Sequence, residues 1–140
     1  MPPLTMKDIS AVMRDIDICM MTTRTSSGEL EARPMSNNRQ VEYEGDSWFF
    51  ARDDASAVQE IGADPGVGLS FQREATLGLY VSVTGQARVV DDRDEMAEHW
   101  VDGLNRWFPQ GLDTDGLVMI HVRAARVKYW KDGEEGELRV

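Results

Sequence analysis

The sequence predicts an α+β fold that is mainly β, an antiparallel barrel with about three short helices. In residues 79–90 apolar and polar side chains alternate, as they do in a strand with one buried face. Turn signals containing glycine separate several other short runs of β-branched or aromatic residues. Helical spacing of apolar residues occurs only in three short stretches, so the helices are few and brief.

The first half of the chain is predicted to contain one helix and three strands. Thr5 and Asp8 have the spacing of a capping box, so the first helix begins there. Residues 19–25 and 30–36 are β-rich and flank a Ser-Ser-Gly-Glu turn, which predicts a hairpin. The aromatic run 48–52 forms the next strand.

The second half is predicted to contain two more helices. The second helix covers about 55–63 and ends before Pro65. The third covers 94–106, begins at Asp91 or Asp92, and carries a core-facing stripe of Met96, Trp100, Leu104 and Trp107. A bulge or bend is expected at Gly85. The remaining strands are predicted at 67–71, 79–90, 117–122 and 126–130.

The length of 140 residues fits one domain, residues 1–140, in which about 131–140 form a flexible acidic tail. Cys19 is the single cysteine and lies in an apolar run, so we expect a buried, unreactive thiol. His99 falls on the polar side of the third helix and is expected to be solvated. His121 lies in a strand without a carboxylate pattern, so no metal site is predicted.

The charge balance restricts the possible partners. The chain has 15 Lys and Arg against 25 Asp and Glu, a formal charge of −10. This charge repels nucleic acid and anionic lipid surfaces. The N-terminus has no targeting pattern, and apolar runs stay well short of the ~18 residues of a membrane span. The sequence therefore predicts a cytoplasmic protein that binds neither nucleic acid nor membranes.

One stretch suggests a ligand site. Arg33 lies on one predicted strand, Phe50 on the next, and a helix begins near Ser56 directly afterwards. Helix N-termini offer unpaired N–H groups and partial positive charge, and arginine binds phosphate in a bidentate manner. These features would converge on a flat, phosphorylated ligand, which is how flavin mononucleotide (FMN) is usually held.

The order of motifs along the chain resembles the pyridoxamine 5′-phosphate oxidase-like superfamily, and within it the bacterial general stress protein family of small FMN-binding split barrels. The motifs are ARPM, WFFA, a helix ending in DP, YVSVTGQARVV, a WFP loop and HVRAARVKYW, and they cover residues 8–130. The resemblance implies a six-stranded antiparallel split β-barrel. It also implies a homodimer whose two flavin sites lie at the subunit interface.

The resemblance further implies which residues contact FMN. Arg33 would reach the phosphate, and the strand that carries it would run beside the flavin ring. Arg52 is a candidate second cation. No catalytic residue is assigned. The cofactor-binding set comprises Arg33, Pro34, Met35, Ser36, Phe50, Ala51, Arg52 and Ser56, with Tyr80, Ser82 and Trp130 supplied by the second subunit.

The sequence departs from the family at the start of the second helix. Relatives place Ser-Arg-Lys or Ser-Lys there, whereas this chain has Ala55-Ser56-Ala57 and lacks the usual cation. Losing one charge-assisted phosphate contact costs roughly 1.5 to 3 kcal/mol. The sequence therefore predicts loose binding of FMN.

The resemblance implies a flavin-dependent oxidoreductase that acts on a small molecule, with a nicotinamide as a candidate electron donor. Two alternatives remain open. One is a flavin-binding carrier or sensor without turnover. The other is a split barrel that has lost FMN and acts as an interaction module or binds F420 or haem. Pyridoxamine 5′-phosphate oxidase activity itself is disfavoured, because the C-terminal segment is acidic where a substrate phosphate would need basic residues.

Overall fold

Three helices and seven strands alternate in the computed structural model, which describes residues 3–37, 42–73 and 78–140. The elements are α1 (Met6–Met13), β1 (Ile18–Arg24), β2 (Leu30–Ser36), β3 (Asp46–Arg52), α2 (Ser56–Ala63), β4 (Gly66–Arg73), β5 (Leu79–Val90), α3 (Arg93–His99), β6 (Leu117–Lys131) and β7 (Glu134–Arg139). Two short 3₁₀ segments, Asp102–Arg106 and Gly111–Asp113, connect α3 to β6.

The strands form one sheet in the order β2-β1-β4-β5-β6-β3, and β7 pairs with β6 beside this path. Every pairing is antiparallel. The predicted antiparallel split barrel is therefore confirmed, with a seventh strand added. β2 and β3 end the order, and we call them the two edge strands; within the described residues β7 pairs only with β6 and also has an open edge.

Two apolar clusters lie on opposite faces of the sheet. The first, which we call the main core, fills the barrel and includes Phe49, Ile120 and Val122. The second cluster lies outside the barrel, beneath α3 and the 3₁₀ segments, and its buried members are Phe50, Val90, Met96, Leu104, Leu117 and Met119. Since side chains alternate across a strand, β3 and β6 each supply residues to both clusters.

Several local predictions are confirmed. Thr5 and Asp8 form the capping box: the Thr5 hydroxyl accepts from the Asp8 N–H at 3.2 Å, and the Thr5 N–H donates to the Asp8 carboxylate at 2.8 Å. The β5–β6 register shifts between Thr84 and Gly85, as expected for a bulge. A side chain at Gly85 would overlap the Arg123 carbonyl, which explains the glycine.

The third helix is shorter than the periodicity predicted. α3 ends at His99, and Trp100 has extended backbone angles (φ −71°, ψ 136°). Gly103, a poor helix former, follows in the 3₁₀ segment. Consequently Met96 and Leu104 are buried as expected, whereas Trp107 is 50% exposed. The two strands predicted at 117–122 and 126–130 are one continuous strand, β6.

The expectation of a flexible acidic tail is wrong for most of residues 131–140. The segment 134–139 is strand β7, paired with β6 in register. Asp132 and Gly133 both have positive φ (52° and 82°) and form the tight turn between the two strands. The acidic side chains face basic ones across the pair: Glu135 contacts Lys128, and Glu137 lies 3.5 Å from Arg126.

Among the described residues, no helix is both long and apolar enough to cross a membrane.

Candidate functional site

A cavity of about 620 Å³ lies between the two edge strands of the sheet. Part of the lining comes from the end of β2 and from β3, and another part comes from the end of α3 and the 3₁₀ segment that follows. The lining residues are Arg14, Asp17, Ser36, Asn37, Trp48, Phe50, His99, Val101, Asp102, Gly103, Leu104, Arg106 and Trp107. The volume lies within the range of small-molecule sites.

Aromatic rings dominate the cavity walls. The Trp48 indole stacks on the His99 imidazole, with 3.9 Å between centroids and 13° between planes. Phe50 meets Trp100 edge-on at 5.0 Å, which supports the floor of the cavity from the second cluster. Trp107 carries the Arg106 guanidinium over its ring at 4.9 Å. Such walls suit a flat, unsaturated ligand.

The break in α3 creates this site. Asp92 caps the helix by accepting from the Asp94 and Glu95 N–H groups, and the helix runs only to His99. The chain then turns at Trp100 and forms the 3₁₀ segment that lines the cavity together with His99. Burial lowers the pKa of His99 below its ordinary value of 6.5.

Arg33, the predicted phosphate anchor, lies apart from this cavity. It faces α2, where its Nη2 is 3.0 Å from Glu60 Oε1. Its Nη1 donates to the Met21 carbonyl at 3.4 Å. The Arg33 side chain is only 16% exposed, so the guanidinium is held within a largely buried ion pair.

The other residues predicted on β2 and β3 divide between the two faces of the sheet. Met35 and Ala51 pack against the main core. Pro34 is exposed on the other face. Ser36 and Phe50, also on that face, line the cavity together. The structure thus brings one predicted residue from each edge strand into a common site.

The start of α2 lies directly after β3. Ser56 is exposed, and the N-cap residue Ala55 offers no side-chain hydrogen bond to the helix. Arg52 is exposed and donates to the Asp115 carbonyl at 3.4 Å. Ala57 is only 3% exposed and belongs to the main core.

The residues predicted to come from the second subunit lie together on an exposed part of the sheet, which we call the outer face. Tyr80 is paired with Trp130 across β5 and β6, and both are well exposed (42% and 37%). Ser82 lies beside them, opposite Lys128. Across the sheet, the same face continues to the exposed residues Ile18, Met20 and Pro34.

Sequence reasoning missed Trp48, His99 and Trp107 as site residues. Trp48 carries a detectable signal, since it alternates with Phe50 on one face of the strand that follows the ARPM strand in the chain. Neither His99 nor Trp107 carries such a signal, because their placement depends on where α3 ends.

Comparison with known proteins identifies the family. The family described as pyridoxamine 5′-phosphate oxidase like matches residues 5–139. Protein bli-3 of Neurospora crassa is 32% identical over 132 residues, which is 90% of this chain and 63% of bli-3. The chain therefore spans less than two thirds of this curated relative.

Two solved structures support the fold. A Clostridium acetobutylicum protein related to general stress protein 26 superposes with a TM-score of 0.84 at 15% identity, covering 96% of this chain and 94% of that one. A heme binding protein from Mycobacterium smegmatis gives a TM-score of 0.79 at 14% identity, covering 99% of this chain and 59% of that one. On the family match over residues 5–139, this chain belongs to the pyridoxamine 5′-phosphate oxidase-like family.

Proposed function

We propose that this protein is a homodimeric, FMN-binding oxidoreductase whose flavin ring lies in the cavity between the edge strands. The observation that carries the proposal is that Ser36 of β2 and Phe50 of β3, both expected to contact FMN, line the same cavity. Family membership makes a flavin the first ligand to test.

The donor set and the shape of the cavity fit a flavin ring. Trp48, Phe50 and Trp107 offer aromatic surfaces for offset or edge contact with a flat ring. Ser36, Asn37 and His99 offer polar groups at its edges. Bound flavin would supply the hydride or electron transfer, and the protein would supply binding, orientation and exclusion of water.

The phosphate end of FMN is proposed to lie near the start of α2. Arg52 and Ser56 are both exposed there, and the first N–H groups of the helix are not capped by a side chain. Asp53 and Asp54 are exposed close by and weaken the attraction for an anion. With Arg33 already paired to Glu60, FMN is expected to bind loosely.

The outer face is proposed to contact a second copy of the chain. Exposed apolar residues Ile18, Met20, Tyr80 and Trp130 occur there on three different strands. A second copy would cover them and place its Tyr80, Ser82 and Trp130 near the flavin of the first, as the family resemblance implies. The chain is proposed to act as a single domain in this dimer.

Reconstitution tests the proposal. The purified protein is incubated with excess FMN and passed through a desalting column, and the flavin absorbance that co-elutes with protein is measured. Anaerobic mixing of the loaded protein with NADH or NADPH follows. Bleaching of the bound flavin supports an oxidoreductase, bound flavin that does not bleach favours a carrier or sensor, and absence of any bound flavin contradicts the proposal.

Haem is the second candidate ligand, and His99 is the observation that favours it. An imidazole at the wall of an aromatic cavity is a suitable axial ligand. The structurally similar Mycobacterium smegmatis protein is named as heme binding. Titration with hemin tests this candidate: a sharpened Soret band that is lost in His99→Phe would support haem, and a band unaffected by that variant would count against it.

A further inference from the structure

Trp48 stacks on both histidines of the chain. The distance between ring centroids is 3.9 Å for His99 and 5.4 Å for His121, with interplanar angles of 13° and 10°. The three rings are therefore nearly parallel, and His99 and Trp48 line the cavity.

Both ring nitrogens of His121 are engaged by the protein. Its Nε2 lies 2.8 Å from Asp46 Oδ1, and its Nδ1 accepts from Arg88 Nε at 3.2 Å. Since Arg88 donates to Nδ1, the ring hydrogen is on Nε2 and is donated to Asp46. Asp46 is held in turn by Arg123, with Nη1 3.0 Å from Oδ2. The His121 ring is therefore fixed on both edges.

His99 is oriented by stacking but has no hydrogen-bonding partner among the described residues. Its plane is set by Trp48, yet neither ring nitrogen takes part in a hydrogen bond within residues 3–37, 42–73 and 78–140. The ring is half-buried and lines the cavity. An oriented imidazole whose nitrogens lack a protein partner, at the wall of a cavity, is suited to hydrogen-bond the polar edge of a ligand.

On the proposed function, and deepening it, we propose that His99 is the residue that hydrogen-bonds the polar edge of the flavin ring in this cavity, and that Trp48 positions its imidazole. A flavin ring presents carbonyl oxygens and ring nitrogens along its edge. The His99 imidazole hydrogen-bonds one of these groups, and the ring itself excludes water from that contact. Trp48 acts through His99 by stacking and is a positioning residue.

The surroundings of His99 determine how the affinity for the flavin ring should change with pH. Glu95 and Glu98 of α3 and Asp46 of β3 favour the charged imidazole, while burial and His121 of β6 oppose it, and burial dominates. Covering His99 with an uncharged ring removes more water and disfavours the cation further. Ring affinity should therefore rise as pH increases through the pKa of His99 and level off above it. The other charged residues at the cavity are Arg14, Asp17, Asp102 and Arg106.

Riboflavin tests the inference, because it has the ring but not the phosphate. Its affinity is measured by fluorescence quenching from pH 5 to 8 for the wild type, His99→Phe, His99→Gln and His121→Phe. Phenylalanine preserves the stack on Trp48 but removes both nitrogens, so riboflavin should bind about three- to tenfold more weakly and without pH dependence. Glutamine restores a hydrogen-bonding group, so affinity should recover while the pH dependence stays absent.

His121→Phe is the matched control. It alters the other histidine on the same indole, which does not line the cavity. Its riboflavin affinity above the pKa of His99 should match the wild type, with circular dichroism used to verify folding. Because His121 opposes the charged form of His99, the pH dependence should keep its sign while its midpoint moves upward. If His121→Phe does not fold, Arg88→Gln provides the control, because it removes the guanidinium that contacts His121 Nδ1 and Glu95.

The outcomes separate this inference from the proposed function. His99→Phe that binds riboflavin as the wild type does at every pH would overturn the role of His99. A wild type that binds FMN but not riboflavin would overturn the inference and leave the proposed cofactor standing. A wild type that binds neither flavin would overturn both.

Discussion

Arg33 and Glu60 form an ion pair of 3.0 Å between β2 and α2, in which both side chains are largely buried (16% and 13% exposed). The same Glu60 oxygen accepts the Thr23 hydroxyl at 2.7 Å. The cation expected to anchor a phosphate thus already has a carboxylate partner in its own chain. On the proposed function, FMN would have to compete with Glu60 for Arg33 or bind without it.

Removal of Arg33 should affect stability as well as binding. A solvent-reaching Arg33 would be replaceable by alanine with little change in the fold, but the structure buries it against Glu60. Arg33→Ala leaves that carboxylate without its cation, so we expect the free energy of unfolding to fall by about 1 to 3 kcal/mol. Urea denaturation measures the change. A stability equal to the wild type would show that the pair contributes nothing.

Neutralising Glu60 should release Arg33 for phosphate. Glu60→Gln keeps a hydrogen-bonding oxygen for Thr23 but removes the competing charge. FMN affinity should rise about tenfold, more at low salt than at high, while riboflavin affinity stays unchanged. The matched control is Glu31→Gln, because Glu31 lies 4.0 Å from Arg33 but is 59% exposed. An equal gain for riboflavin would point to a general change in the pocket rather than to phosphate binding.

A cation can be restored at the start of α2, but only at one of two adjacent positions. Ser56 is exposed, so Ser56→Lys should strengthen FMN binding by about one order of magnitude at low ionic strength. Ala57 is 3% exposed in the main core, so the family-like Ala57→Lys should destabilise the protein instead. Isothermal titration and thermal melts of both variants compare the two effects. FMN affinity unmoved by Ser56→Lys would place the phosphate elsewhere.

The outer face should hold the proposed dimer together. Wild-type protein should have twice the chain mass at micromolar concentration, because an obligate homodimer commonly buries more than ~2,000 Å² of mainly apolar surface. Tyr80→Glu places a charge on that face and should yield a monomer. Val89→Glu is the control, since Val89 is similarly exposed (36%) on the same strand but points to the other side of the sheet. Light scattering that gives one chain mass for the wild type would refute the dimer.

The fold was predictable where local signals agree with tertiary structure. The Thr5–Asp8 capping box and the alternation along β5 are local signals, and they were sufficient to predict α1 and β5. The β7 strand was missed because its acidic composition favours disorder in isolation. Its stabilising partners, Lys128 and Arg126, lie in another strand. The Asp132-Gly133 turn was the available signal, since this dipeptide is typical of tight hairpins.

The candidate site was predictable only in part. The sequence predicted Ser36 and Phe50 on consecutive strands of the chain, and the structure puts both residues at one cavity. It gave no indication that Arg33 would meet Glu60, because that contact depends on how α2 packs over β1 and β5. His99 was assigned to solvent because apolar spacing continues past the point where α3 ends. Periodicity identifies a face of a helix but not its last residue.

β6 contributes Ile120 and Val122 to the main core and Met119 and Leu117 to the second cluster. The second cluster thus has no strand of its own, and its other wall consists of short helical segments that lack independent stability at their length. The cavity wall and the barrel should therefore melt as one cooperative unit. Calorimetry should show a single transition, and a ligand that binds in the cavity should raise the melting temperature of the whole chain rather than protect a local segment.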